Sequence, residues 1–435
     1  MTDNVGLTRT AGSAPAPQEA PVHSTEEDIP MTRTELRSSL SLSSVFGMRM
    51  LGLFLVLPVF ALEASRLPGG DDPARIGLAM GIYGLTQGLL QIPFGMASDR
   101  FGRKPVIVFG LLVFALGSFL AMSATTLAGL TLGRAIQGAG AISAAVTALL
   151  ADQTRDEVRT KAMTLVGVSI GFVFALSLII APLLNGLIGL SGLFALTGAM
   201  ALLAIAVVLK LTPPEPAQIE SRQKGRLSVV LADAQLMRLN LGVFVLHAVQ
   251  LAMWVAVPAM LVQAGLPKDG HWQVYLPTVV ASFFVLRGTL YPLERRGYLR
   301  AVFLCSVGLI ALVQVGLWWA AGQPPGLSLM AWLLFAFFCG FNILESCQPS
   351  MASRAAPQHA RGTALGVFNT LQSLGFFMGG AMGGWLLRAH GPQTVFAACT
   401  GLMLLWLALA WPMRAPARHS RTAERSGPAS GSAAG

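Results

Sequence analysis

The chain has 435 residues, 54% of them apolar and only 11% charged, with a mean hydropathy of +0.64. Soluble domains carry about 25% charged residues, so the composition excludes an ordinary soluble domain. Apolar runs of about 20 residues recur instead, each long enough to cross a ~30 Å hydrocarbon layer as a helix. The net charge of +10 is scattered in short segments between these runs, which argues against a nucleic-acid surface.

Residues 1–42 are rich in Pro, Ser, Thr, Ala and Glu without an apolar period, which predicts a disordered tail. The segment is too long and too acidic for a signal n-region, so the first apolar run is expected to persist as a span. Twelve spans follow, in rough limits 43–64, 76–98, 105–124, 127–150, 162–187 and 191–209, then 240–264, 273–292, 301–321, 327–350, 362–387 and 392–412. A Pro- and charge-rich cytosolic linker, 211–239, separates an N-terminal six-helix half (43–210) from a C-terminal one (240–413), and 414–435 reads as a second disordered tail. With both termini cytosolic, the inside segments carry 23 Lys/Arg, whereas the outside loops hold only Arg66, Arg75, Lys268 and Arg388. That asymmetry sets the orientation. The four cysteines, Cys305, Cys339, Cys347 and Cys399, lie in predicted spans at no metal spacing and read as small apolar residues.

The stretch FGMASDRFGRKPV, Phe94 to Val106, places Asp99, Arg100, Arg103 and Lys104 between the second and third spans. A worn counterpart lies 195 residues later, where Glu294-Arg295 and Gly297 match Asp99-Arg100 and Gly102. RTKAM at Arg159 and RGTAL at Arg361 repeat the pattern before the fifth span of each half. A duplicated six-helix unit arranged around a central path is a transporter architecture. Gly95 and Gly102 permit close helix approach and a tight turn. Asp99 falls at the inner surface, where odd-numbered spans expose their positive N-terminal ends. Spacing alone leaves two readings open: a gate element, or a loop of solvated charges.

These residues resemble the major facilitator superfamily. GMASDRFGRK fits its G-x-x-x-D-R-x-G-R-K signature, and LTLGRAIQGAGA, Leu130 to Ala141, is similar to its fourth-span R-x-x-Q-G-x-G-A motif. RMLGLFLVLPVF and GIYGLTQGLLQIPFG resemble the YajR-type branch of the proton-coupled drug antiporter family. Two features depart from it. The fifth-span antiporter motif ends in Gly-Pro where SLIIAPLL has Ala181-Pro182, and the C-terminal tail has no room for that branch's small soluble domain.

The resemblance implies an all-α membrane protein of twelve transmembrane helices in two pseudo-symmetric six-helix halves, acting as a monomer in the lipid bilayer of a bacterial inner membrane. It implies alternating access driven by the proton gradient with no cofactor, the favoured form being export of small, partly hydrophobic compounds in exchange for protons. It further implies that Asp99 pins the N-terminal end of span eleven while Arg103 pairs with Asp152. The expected gating motif is Gly95, Asp99, Arg100, Gly102, Arg103, Lys104 and Asp152. Uptake or uniport of a metabolite is the rival within the class, and a transport-inactive sensor or scaffold is the rival outside it.

Ionisable groups inside a membrane are costly and default to functional candidates. Arg134 lies within span four, followed on its face by Gln137, and needs a partner or a water-filled path; a tether between spans one and four is its structural alternative. Arg49, early in span one, joins it as a proton-coupling candidate or snorkels to the surface. Glu345 in span ten is the deepest carboxylate, and low dielectric favours the neutral form of a carboxyl, which suits reversible proton loading. Asn342, one turn away, is placed to hydrogen-bond it; alternatively Glu345 is a solvated interfacial acid. His247 completes the set as a possible relay or as a packing residue, with Gln250 and Trp254 on its face. Gln87 and Gln91 in span two, and Asn369, Gln372 and Ser373 in span eleven, are expected either to line the cavity or to bond helix to helix. The glycines beside them form close-packing stripes. The chain lacks G-x-x-x-x-G-K-[ST] and H-E-x-x-H and has no G-x-S-x-G in a plausible strand–helix turn, GPASG at Gly427 to Gly431 falling in the tail, so an enzyme or an ATP-driven pump is not expected.

Overall fold

Thr32 starts the first helix ten residues ahead of the expected span. In the computed structural model, which describes Thr2 and residues 30–215, 227–357 and 360–413, Thr32 and Glu35 form a reciprocal cap. The Thr32 hydroxyl accepts from Glu35 N at 3.2 Å, and the Glu35 carboxylate accepts from Thr32 N at 2.8 Å. Ser38, Ser39 and Ser41 donate their hydroxyls to carbonyls three or four residues back, so the serine-rich run satisfies itself as helix. Residues 33–42 are thus helical rather than tail, because hydroxyls bonding their own backbone do not need an apolar period.

Helix α1 (Arg33–Phe54) and α2 (Leu57–Ala64) form the first span, broken at Leu55 and Val56 ahead of Pro58 in the first turn of α2. After α3 (Pro73–Phe101) and α4 (Arg103–Met122), the fourth span is also discontinuous, as α5 (Leu127–Ala139) and α6 (Ser143–Asp152). The break falls at Gly140, where an added Cβ would overlap the carbonyl oxygen of Gly110. The fifth and sixth spans are the two arms of α7 (Asp156–Lys210), which bends at Gly189, φ 66°. Ser169 bonds Ser43, Thr197 bonds Gly52 and Thr212 bonds Ser41, so α7 runs out along α1 and returns along it.

The second half comprises α8 (Leu227–Ala232), α9 (Ala234–Gln263), α10 (Trp272–Arg295), α11 (Leu299–Ala321), α12 (Leu327–Ala355), α13 (Arg361–His390) and α14 (Pro392–Ala410). Asp233 caps α9 by accepting from Gln235 N and Leu236 N, so this helix starts six residues before the expected span and shortens the linker. The centre of the linker, most of the N-terminal tail and residues 414–435 lie outside the described residues. Nine stretches among the described residues are helices long and apolar enough to cross a membrane, the 50-residue Lys161–Lys210 containing the return at Gly189. Helices α3 and α13 are not among them, since glycines and glutamines dilute their apolar residues.

Those two helices join the halves. They are antiparallel and meet backbone to backbone: Gly77 against Gly380 and Gly384, Gly81 against Phe377, Gly84 against Ser373. Gly375, Gly379 and Gly383 face the other way, onto Phe244, Ala248 and Ala252 of α9. Helix α13 therefore carries two glycine stripes and is wedged between α3 and α9. A Cβ at Gly77 would overlap the Gly380 carbonyl oxygen and stand 2.7 Å from Gly384 Cα, leaving only a shift of whole helices to relieve it. At Gly88 the nearest atom is the flexible Leu374 Cδ2, at 3.2 Å. Gly77→Ala should reduce transport about tenfold or more, corresponding to an overpacking cost in the 1–3 kcal/mol range. Gly88→Ala should be mild, and equal rates for both variants would remove this contact from the working cycle.

Candidate functional site at the interface of the halves

Three layers of polar residues lie along the junction of the halves. At the end holding Asp99, Gly102 (φ 94°) ends α3 and begins α4, a backbone conformation that glycine adopts without strain. Arg103 reaches back over this turn. Its guanidinium donates to Asp99 at 2.5 Å, to Ser98 at 2.7 Å and, through Nε, to Asp152 of α6 at 3.2 Å. Glu215, from the start of the linker, accepts from the backbone N–H groups of Arg103 and Lys104, capping α4. Gly95 faces Ala144 of α6, and the first turns of α13 pack through Ala360 and Ala364 on Val230 and Leu236 of their own half. No atom lies within 4 Å of where a Cβ would stand at Gly362 or Gly366. The close glycine packing of the halves therefore stops short of this end.

The opposite end is held shut across the halves. Glu63 of α2 accepts from Lys268 at 2.5 Å and from Asn185 at 3.0 Å. Asp72, which caps α3 through Ala74 N, also takes Arg388 of α13 at 2.9 Å. These four charges were missed as a set: Glu63 reads as a minor titratable candidate, and Lys268 and Arg388 read as loop charges. No local pattern relates positions 205 or 316 residues apart.

In the middle layer, the N-terminal half contributes two arginines, each 1% exposed. Arg49 donates to Ser143 at 3.1 Å and Gln87 at 3.0 Å, and Gln87 donates across the halves to Ser373 at 3.0 Å. Arg134 donates to Gln137 at 2.9 Å and to the Met80 carbonyl, while Gln137 donates to Ser118. The two guanidinium carbons lie 6.0 and 4.9 Å from the centre of the Tyr83 ring. Neither arginine has a carboxylate partner among the described residues.

The C-terminal half contributes an acid and a base. His247 Nδ1 lies 2.8 Å from the Val243 carbonyl. A carbonyl only accepts, so Nδ1 carries the hydrogen and Nε2 is the atom free to gain or lose one. Gln372 Nε2 stands 2.8 Å from His247 Nε2 and 3.4 Å from Glu345 Oε1, and Glu345 Oε2 is 3.3 Å from His247 Nε2. When Nε2 is bare it accepts from Gln372; when protonated it donates to Glu345 and repels the Gln372 amide. The Glu345 side chain is 29% exposed and that of His247 2%, so the carboxylate is the more accessible member.

Several expectations are corrected. Asn342 does not bond Glu345; it donates to Ser282 at 2.8 Å. Gln250 and Trp254 are buried inside the C-terminal half, Trp254 edge-on to Tyr275 with ring centres 5.4 Å apart, rather than on a cavity wall. Gln91 is likewise buried, whereas Asn369 is half-buried and its backbone carbonyl accepts from Ser373. Ser373 bonds helix to helix, as one of its two expected roles: it and Gln372 are adjacent on α13, one bonded to the Arg49–Gln87 side and the other to Glu345 and His247.

The Arg103–Asp152 contact can be weighed by a double-mutant cycle. Arg103→Ala alone should lower turnover severalfold, and Asp152→Ala added to it should change little more, because both remove one pair. Independent, additive losses in transport rate would show the two residues acting separately.

A junction of two helical halves, latched at one end and lined by buried ionisable groups, is the architecture of a membrane transporter. Residues 38–380 match the Major Facilitator Superfamily. The inner membrane transport protein YajR of Escherichia coli is 42% identical over 393 residues, which cover 89% of this chain and 86% of that protein. The multidrug resistance protein MdtH of Aeromonas hydrophila is 29% identical over 77% of this chain and 82% of its own. A solved D-xylose–proton symporter superposes with a TM-score of 0.71 at 14% identity, over 87% of this chain and 98% of that one. The chain belongs to the Major Facilitator Superfamily: it is a membrane transporter and not an enzyme.

Proposed function

We propose that the protein exports small, partly hydrophobic compounds in exchange for protons, across a bacterial inner membrane, with both termini cytosolic. The observation that carries this reading is the Glu345–His247–Gln372 cluster. A partly exposed carboxylate beside a histidine with one uncommitted nitrogen can accept a proton from the cavity and rearrange a side chain on α13. Through the neighbouring Ser373 the same helix turn holds Gln87 and Arg49 of the other half, so loading a proton changes the forces across the junction. Under the positive-inside assignment the latched Glu63–Lys268 and Asp72–Arg388 end is external, and the structure stands inward-facing. Asp99 then meets the positive end of α13 in the alternate state, when the inner end closes. The name of MdtH, a multidrug resistance protein, agrees with export, and that of YajR with the inner membrane.

Everted membrane vesicles energised to an acid interior test the function. A compound exchanged for protons should collapse the pH gradient when added outside, in vesicles containing the protein and not in those carrying Glu345→Gln. Failure of a broad panel of hydrophobic compounds, with a gradient collapse by hydrophilic metabolites instead, would replace this substrate class.

A further inference from the structure

A surface cavity lies away from the residues that join the halves. It lies on the surface at the Asp99 end, has a volume of about 540 Å3, and is walled by Arg33 and Arg37 of α1, Lys104 of α4 and Lys210 at the end of α7. Two of these cations are held in place by backbone oxygens. Arg37 donates to the Leu211 and Lys210 carbonyls, at 2.8 and 3.4 Å, and Lys104 donates to the Thr212 carbonyl at 2.7 Å. The side chains of Arg33 and Lys210 have no partner among the described residues. The neighbouring carboxylates are engaged elsewhere: Glu215 caps α4, and Glu35 is bound by Arg155 at 2.8 and 3.0 Å. A pocket with four cations and one committed acid at its edge is an anion receptor.

What lies beside the pocket identifies the anion's carrier. Leu36 and Leu40 follow Arg33 on α1 at one and two turns, about 5 and 10 Å further along the axis, and are 46% and 53% exposed. Leu209 and Leu211 flank Lys210 and are 62% and 52% exposed. A soluble phosphate would need the cations alone. Cations at a membrane surface with bare leucines running inward from them suit a molecule that is charged at its head and apolar below. We infer that this pocket binds the headgroup phosphate of an anionic phospholipid, its acyl chains lying along Leu36, Leu40 and Leu209. The site abuts Lys104 and the Glu215 cap, so a bound lipid would rest against the loop that carries Asp99 and Arg103. A merely topological role for the basic residues requires no pocket, no backbone-fixed cations and no apolar track.

The test titrates the detergent-purified, full-length protein with phosphatidylglycerol or phosphatidylcholine in mixed micelles, reading lipid adducts by native mass spectrometry and the Tm alongside. Phosphatidylglycerol should bind more tightly than phosphatidylcholine and raise the Tm in a saturable way. Each surface cation contributes about fivefold to anionic-lipid affinity, so Arg33→Gln with Lys210→Gln should weaken phosphatidylglycerol about 25-fold and leave phosphatidylcholine unchanged. Lys210→Gln alone, which removes no bond within the protein, should weaken it about fivefold by the same measure, so the inference can be judged even if the double variant does not fold. Arg66→Gln with Arg75→Gln, two charges at the opposite end, should not weaken it. An unchanged affinity in the double variant or an equal loss in this control overturns the site. Displacement of the lipid by glycerol 1-phosphate at matched concentration would make it a free-phosphate site and overturn the lipid assignment.

Discussion

Glu345→Gln should abolish uphill transport while leaving exchange intact. A proton-coupled exchanger working against a gradient of one pH unit can build a substrate ratio of about tenfold per proton, because one unit corresponds to ~1.4 kcal/mol. Glutamine keeps the shape of the side chain and its bond to Gln372 but carries no titrating proton. The accumulation ratio should therefore fall to about one, whereas counterflow of labelled against unlabelled substrate should continue and lose its pH dependence. His247→Gln should act through the same cluster. If Nε2 is the relay atom, the variant should lose the pH dependence of the exchange rate as well; if the ring only positions Glu345, the pH profile should shift without flattening. Normal accumulation by Glu345→Gln would make the carboxylate a bystander at the cavity wall.

Lys268→Gln should open the latched end. Glu63 and Lys268 are 13% and 28% exposed in their side chains, so the pair is shielded enough to exceed a surface ion pair. A hydrogen bond to a charged group contributes roughly 1.5–3 kcal/mol, so its loss should shift the balance between the two states about tenfold to a hundredfold. Arg388→Gln should matter less, at most severalfold, because Arg388 is 62% exposed and its pair with Asp72 is screened. The readout is a cysteine pair at Gly186 and Asp269, which belong to different halves; a Cβ at Gly186 would stand 3.8 Å from Asp269 Oδ1. Crosslinking there should fall in Lys268→Gln and recover when the charges are exchanged, as Glu63→Lys with Lys268→Glu. Undiminished crosslinking in Lys268→Gln would mean that the glycine contact of α3 with α13 closes this end unaided.

The fold class was legible in the sequence because a bilayer imposes a length and an apolarity on each span, and both are local properties. The order of the helices along the chain follows the expected spans for that reason. So does the turn at Gly102, where one residue type answers one backbone demand. The signature around Asp99 named Arg103 and Asp152 as partners, and the structure brings them within 3.2 Å. Helix ends were less legible. Caps such as Thr32–Glu35 and Asp233 are made by single polar side chains, which composition averages into a tail or a linker, so α1 and α9 begin earlier than apolar patterning predicts.

Residue type and depth alone marked Arg49, Arg134, His247 and Glu345 as costly to bury. Which of them meet was decided by tertiary structure. His247 and Glu345 are 98 positions apart and come together only because α9 and α12 both pack beside α13, where Gln372 spans the gap. Asn342, three residues before Glu345 on the same helix, was drawn away by Ser282 of α10. The latch of Glu63 with Lys268 and Asp72 with Arg388 had no sequence signal at all. Such a contact depends on how two rigid halves are tilted, and an α-carbon trace of either half alone would leave all four side chains as ordinary loop charges. Local chemistry thus determined what each segment must be, while the angle between the halves determined which charges are paired and which end is closed.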